Sequence, residues 1–90
     1  MVAKREIVVK NRTGLHARPA AIFVQVANKY ESDITIVKDD QEINGKSIMG
    51  ILMLAAEKGA KITIVADGSD AEAAVEELAD ILLHDIEPEI

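Results

Sequence analysis

Among the residues able to do covalent chemistry, His16 has the most informative neighbours. It follows Gly14-Leu15 and immediately precedes a helical pattern that starts at Ala17. That puts it at the N-cap, where histidine is a poor substitute for Ser, Thr, Asp or Asn. With no strong cap, the first-turn N–H groups of Ala17 and Arg18 stay free to bind an anion, and the helix dipole favours negative charge there. Pro19 suits that turn, because its missing N–H would have been unpaired and its fixed φ matches a helix start. Arg18 adds a permanent guanidinium able to fork onto phosphate oxygens. The same dipole and guanidinium disfavour imidazolium, so His16 is expected to be a neutral, nucleophilic imidazole near neutral pH. These residues describe a histidine that accepts and releases a phosphoryl group, with Ala17 and Arg18 binding the phosphate. A purely structural histidine at a helix start accounts for the same position. The chain has no G-x-x-x-x-G-K-[ST] and no G-x-G-x-x-G nucleotide loop, so another protein or a small molecule must supply the phosphoryl group. The second histidine, His84, falls near the end of the last helix and reads as structural or surface.

A second constellation is Asn44-Gly45-Lys46-Ser47-Ile48-Met49-Gly50. A turn followed by a Ser-capped helix explains every residue except Lys46. The functional reading makes Ser47 an exposed serine after a basic residue, open to a kinase. Ile48, Met49, Leu52 and Met53 crowd one helical stripe and cannot all be core, so part of the stripe is available as a docking patch.

The elements around these residues follow from hydrophobic periodicity. Lys4 to Lys10 reads as a strand, with Ile7, Val8 and Val9 in a row. Asn11 to Gly14 is a loop, and Ala20, Phe23, Val24 and Ala27 then recur at helical spacing. Asp33–Lys38 and Gln41–Asn44 form a hairpin about Asp39-Asp40. A helix runs from Ile48 to Glu57, stopped by Gly59. Lys61–Ala66 is a strand, and Ala71 to about Leu83 is a helix with Val75, Leu78, Ala79 and Leu82 on one face. The order βαββαβα, with a hairpin in the middle, predicts an α+β sandwich with a largely antiparallel sheet and helices on one face.

Composition narrows the function. The 90 residues are 49% hydrophobic and 29% charged, too apolar for disorder and enough for one modest core in one domain spanning 1–90. There is no cysteine, which removes disulfides, thiol nucleophiles and Cys-based metal sites. The net charge of −6, with no Trp, one Tyr and one Phe, argues against nucleic acid as a partner. The longest apolar runs are far short of a membrane span, and Ile7 to Val9 is too short for a signal segment, so a cytoplasmic protein is expected. No metal or cofactor is called for. All ten Lys and Arg lie at or before Lys61, where they meet seven acids; residues 62–90 carry nine acids and no base. A mildly basic face toward an acidic partner explains this split, and so does an ordinary solvated acidic helix.

At this point the residues resemble a known family. Gly14-Leu15-His16-Ala17-Arg18-Pro19-Ala20 is similar to the phosphorylated-histidine motif of the HPr phosphocarriers of the bacterial phosphotransferase system. Lys46-Ser47-Ile48-Met49-Gly50, with Leu54-Ala55-Ala56 and Lys58-Gly59 behind it, resembles that family's regulatory serine segment. The two motifs come in the family's order and spacing, and the likeness covers essentially the whole chain. It implies an open-faced β-sandwich of four antiparallel strands with three helices on one face. It implies that His16 takes a phosphoryl group on Nδ1 from phosphorylated enzyme I, charged by phosphoenolpyruvate, and passes it to enzyme IIA domains of sugar permeases. Arg18 would neutralise the phosphate in flight. Ser47 would be the target of HPr kinase/phosphorylase, and a catabolite-control transcription regulator is a further implied partner. Ile48, Met49 and Leu52 would form the shared docking surface of a monomeric carrier, which is part of a transferase system and not a stand-alone enzyme. His16 sets the chain apart from paralogues that keep the serine and lack the histidine. A nitrogen-regulatory branch shares a similar histidine motif and stays open. So, from other classes, do a small acyl-phosphate hydrolase using the Arg12-Thr13-Gly14 loop and a passive interaction module.

Overall fold

Isoleucines alternate with polar residues along the strands, and that period of two decides the architecture. The computed structural model describes residues 1–8, 17–47, 49–51 and 61–83, with the backbone alone at 17–20 and 83. Ile7, Ile34, Ile36, Ile62 and Ile64 are all buried together in one core. They come from a single sheet of β1 (Val2–Val8), β2 (Asp33–Lys38), β3 (Gln41–Asn44) and β4 (Lys61–Asp67). Its spatial order is β1-β4-β2-β3, and every neighbouring pair is antiparallel. The register sets Ile7 opposite Ile62, and Ile36 between Ile64 and Ile43, so apolar side chains line up across the strands on one face. The other face carries Lys4, Val65, Thr35 and Asn44 in one cross-strand row. In the β2–β3 hairpin, Asp39 holds the left-handed φ of 54°, a conformation that aspartate tolerates better than most residues.

Helices cover the apolar face. They are α1 (Ala17–Ala27), a middle helix α2 of which residues 49–51 are described, and α3 (Ala71–Leu83). α3 lies over β1 and β4, and α1 packs beside it. Phe23 and Ala27 of α1, Ile51 of α2, and Val75, Leu78, Ala79 and Leu82 of α3 complete the core. Burying Phe23, Leu78 or Leu82 contributes about 1.5–3 kcal/mol each.

The observed order and the one-sided helical cover match the expectation from the sequence. Two strand ends differ from it. β1 begins at Val2 and not at Lys4, because the ladder continues until Val2 faces Asp67, and β4 runs one residue further for the same reason. Residues 9–10 and the end of α2, expected at Glu57 and Gly59, lie outside the described residues. On α1, Phe23 and Ala27 are fully buried while Val24 is half-buried, so the stripe is centred on the i, i+4 pair.

Candidate functional site

α1 starts at Ala17, as its capping pattern predicts, with Arg18 and Pro19 in its first turn. That turn contains no acidic residue, so no carboxylate within it offsets the positive end of the dipole. The helix is held in place further along by Phe23 and Ala27 in the core. His16 lies outside the described residues, as do His84, Ile48, Leu52 and the side chains of Ala17 and Arg18.

The Ser47 segment is described in more detail. Asn44 ends β3, and the chain turns sharply. The Gly45 N–H donates to the Ile34 carbonyl at 2.8 Å. A Cβ at Gly45 would stand 2.5 Å from Ile34 Cγ2, so only glycine lets the backbone approach β2 this closely. The Asn44 side-chain oxygen accepts from the Lys46 N–H at 2.9 Å, a local Asx turn. Ser47 then caps α2: its Oγ accepts from the Gly50 N–H at 3.1 Å, and its carbonyl from the Ile51 N–H at 2.9 Å. Ser47 is half-buried, less open than an exposed loop serine, because its hydroxyl is turned back onto the helix. Met49 is 66% exposed while Ile51 is buried. Of the crowded stripe only Met49 lies among the described residues, and it faces solvent, while Ile51, which the sequence reading did not single out, is buried in the core.

A polar cluster joins this segment to the rest of the fold. Lys46 Nζ donates to the Tyr30 carbonyl at 2.7 Å. The Tyr30 hydroxyl donates to Glu77 Oε1 on α3. Asp70, before α3, accepts from the Glu31 and Ser32 N–H groups at 2.9 and 3.0 Å and from the buried Ser32 hydroxyl. That hydroxyl bond and the Glu31 N–H hold the Asp70 carboxyl below its ordinary pKa. The bond to Glu77, then burial, then the Glu77 and Asp70 charges push the Tyr30 phenol up to about 12. Of these residues the sequence reading singled out Lys46, as the basic neighbour of Ser47, but not Tyr30, Glu31, Ser32 or Glu77. The available signal was their place at element ends, where unpaired backbone groups need partners.

Among the described residues, no group of three His, Cys, Asp or Glu side chains could hold a metal ion. No helix among them is long and apolar enough to cross a membrane.

Comparison with known proteins yields a consistent set of relatives. The family PTS-HPr, described as the PTS HPr component phosphorylation site, matches residues 3–83. HPr-like protein Crh of Bacillus subtilis is 45% identical over 78 residues, covering 87% of this chain and 92% of Crh. Phosphocarrier protein HPr of Neisseria meningitidis is 43% identical over 79 residues, covering 88% of this chain and 89% of that one. The crystal structure of HPr from Bacillus anthracis superposes with a TM-score of 0.86 at 49% identity, over 90% of this chain and 96% of its own. A crystal structure of Bacillus subtilis Crh, a dimer with a swapped domain, has a TM-score of 0.72 at 45% identity, over 87% and 90% of the two chains.

Proposed function

The chain belongs to the HPr family of phosphotransferase-system phosphocarriers, and from that premise we propose that His16 is the residue that carries the phosphoryl group. Phosphorylated enzyme I is the donor, with phosphoenolpyruvate as the original source, and enzyme IIA domains of sugar permeases are the acceptors. One observation carries the reading to this position. α1 opens at the residue after His16, with Arg18 and no acid in its first turn. The imidazole nitrogen attacks the phosphorus of the donor, the N–P bond forms as the donor's bond breaks, and charge spreads over three equatorial oxygens. Arg18 and the N–H groups of Ala17 and Arg18 meet that charge, and the same contacts serve the onward transfer. Met49, with Ile48 and Leu52, forms the docking surface. Ser47 is the regulatory phosphorylation site, used by an ATP-dependent HPr kinase/phosphorylase and read by a catabolite-control transcription regulator. The carrier works as a monomer in the cytoplasm. The hydrolase and passive-module readings give way to the family assignment.

The test is phosphate uptake from enzyme I and phosphoenolpyruvate. The wild-type chain should acquire acid-labile, base-stable phosphate; His16→Ala should fold normally and lose it, and His84→Ala should keep it. Uptake by His16→Ala at the wild-type rate, with loss in His84→Ala, would move the site to His84. Transfer onward to a sugar IIA domain, set against a nitrogen-branch acceptor, separates the two branches.

The likeness to Crh brings in a second reading within the same family, with Ser47 as the working site, against which the presence of His16 stands. No uptake from enzyme I, together with phosphorylation of Ser47 by the kinase, would select it. Sedimentation of the purified chain tests the monomer against a dimer of the kind solved for Crh.

A further inference from the structure

α1 has no basic residue in its last turn, although a helix C-terminus concentrates about half a negative charge on its unpaired carbonyls. A cation from elsewhere in the chain comes instead to the turn that follows the helix. After Ala27 the helix unwinds through a turn in which the Asn28, Lys29 and Tyr30 N–H groups donate to the Val24, Val26 and Ala27 carbonyls. Onto this turn reaches Lys46, from the loop between β3 and α2, donating its ammonium to the Tyr30 carbonyl at 2.7 Å. The contact is returned. Asn28 Nδ2 donates to the Val24 carbonyl at 2.9 Å and also to the Lys46 carbonyl at 3.4 Å. With its own N–H on Asn44 Oδ1, Lys46 is tied down at its amide, its carbonyl and its ammonium.

The next residue is Ser47, whose Oγ receives the Gly50 N–H. We infer that Lys46 is a positioning residue for Ser47, acting through the turn that follows α1, and is not a charge offered to a partner. The inference rests on the reading of Ser47 as a phosphorylation site and adds how that site is held. A lysine beside a target serine invites the view that it greets the kinase. Here the lysine is half-buried and its amine already makes a charge-assisted bond to the Tyr30 carbonyl in the turn after α1, and such bonds are strong. Withdrawing it would leave that carbonyl without its cation. During phosphorylation the Ser47 Oγ forms the new bond to the γ-phosphorus of ATP as the bond to ADP breaks, and the hydroxyl proton leaves to the kinase. Lys46 takes no part in that exchange; it sets where the Oγ stands when it begins.

The experiment uses the full chain and three variants: Lys46→Met, which keeps the stem and removes the charge, Lys46→Arg, and Asn28→Ala. The first readout needs no kinase. Amide hydrogen exchange at Gly50, followed by NMR, should be about five- to tenfold faster in Lys46→Met, as loss of a charge-assisted bond loosens the segment. Asn28→Ala should show a smaller increase, and Lys46→Arg a partial return. Unchanged Gly50 exchange in Lys46→Met overturns the inference. The second readout is phosphorylation by HPr kinase/phosphorylase with ATP. Lys46→Met should lower kcat several-fold with KM little changed, equally at low and high salt. A raised KM that recovers as salt is added would make Lys46 a recognition charge and overturn the inference. If the wild-type chain is not phosphorylated at Ser47, the reading of that serine falls, while Gly50 exchange still decides whether Lys46 holds the segment.

Discussion

Tyr30 donates its hydroxyl to Glu77 from the turn that ends α1, and an anionic acceptor makes the phenol reluctant to ionise. Burial and the charges of Glu77 and Asp70 act in the same direction and bring its pKa from 10.0 to about 12. The folded chain therefore holds this proton more tightly than the unfolded chain. The associated stability is fully present below pH 10 and is lost as pH rises through about 12. Tyr30 is the only tyrosine, so a near-ultraviolet absorbance titration reports it alone. The native midpoint should lie close to 12 and return toward 10 in denaturant. Glu77→Gln should bring the native midpoint down, since it keeps an acceptor oxygen but removes the charge that strengthens the bond and opposes ionisation. A native midpoint near 10 in both proteins would show that the Tyr30–Glu77 bond is not made in solution. Asp70 behaves in the opposite sense. Its lowered pKa adds stability above the ordinary carboxylate range, which is lost as pH falls through the folded value.

At the scale of elements, the loop from β3 to α2 stays close to the sheet because two glycines permit it. A Cβ at Gly50 would come within 2.8 Å of Ile43 Cγ2, and one at Gly45 within 2.5 Å of Ile34 Cγ2. Ile34 is buried in the core and has little room to move, so Gly45→Ala should act as an overpacked core substitution costing about 1–3 kcal/mol. Urea unfolding should show a lower midpoint with an unchanged m-value. Since the Gly45 N–H and the Asn44 turn lead directly into the Ser47 cap, the same variant should also speed exchange at Gly50. Wild-type stability would mean that Ile34 can give way. The other end of the fold is tied differently. The Asp70 carboxylate gathers two successive N–H groups and the Ser32 hydroxyl, joining the start of β2 to the start of α3.

Over the whole molecule, charge is divided along the chain, with every base at or before Lys61. The exposed acids Glu72 and Glu76 stand on α3, while Met49, at the other candidate site, is open to solvent. An acidic surface on enzyme I would suit the basic part of the chain, and a new anion at Ser47 would then oppose docking. Ser47→Asp should raise the KM of enzyme I for this protein. Its melting temperature should stay equal or rise, because Asp caps a helix as well as Ser and favours the positive dipole end. The KM effect should shrink with added salt, as surface charges are screened over about 8–10 Å. Equal transfer by the two proteins at low salt would leave Ser47 as a helix cap only.

What the sequence determined by itself is local. The start of α1 at Ala17, the Asp33–Lys38 and Gln41–Asn44 hairpin, the Ser47 cap and the buried face of α3 all lie in periodicities and end signals spanning a few residues. Each such signal has one dominant physical meaning, so it reads directly. The insertion of β4 between β1 and β2 and the burial of Ile51 beside an exposed Met49 came only with the packed fold. So did the bonds from Lys46 to Tyr30, from Ser32 to Asp70 and from Tyr30 to Glu77, whose partners lie 16, 38 and 47 positions apart. A polar side chain at an element end has many possible partners of equal chemistry. Which one it meets depends on how the helices lie across the sheet, and that angle is set by the whole core at once.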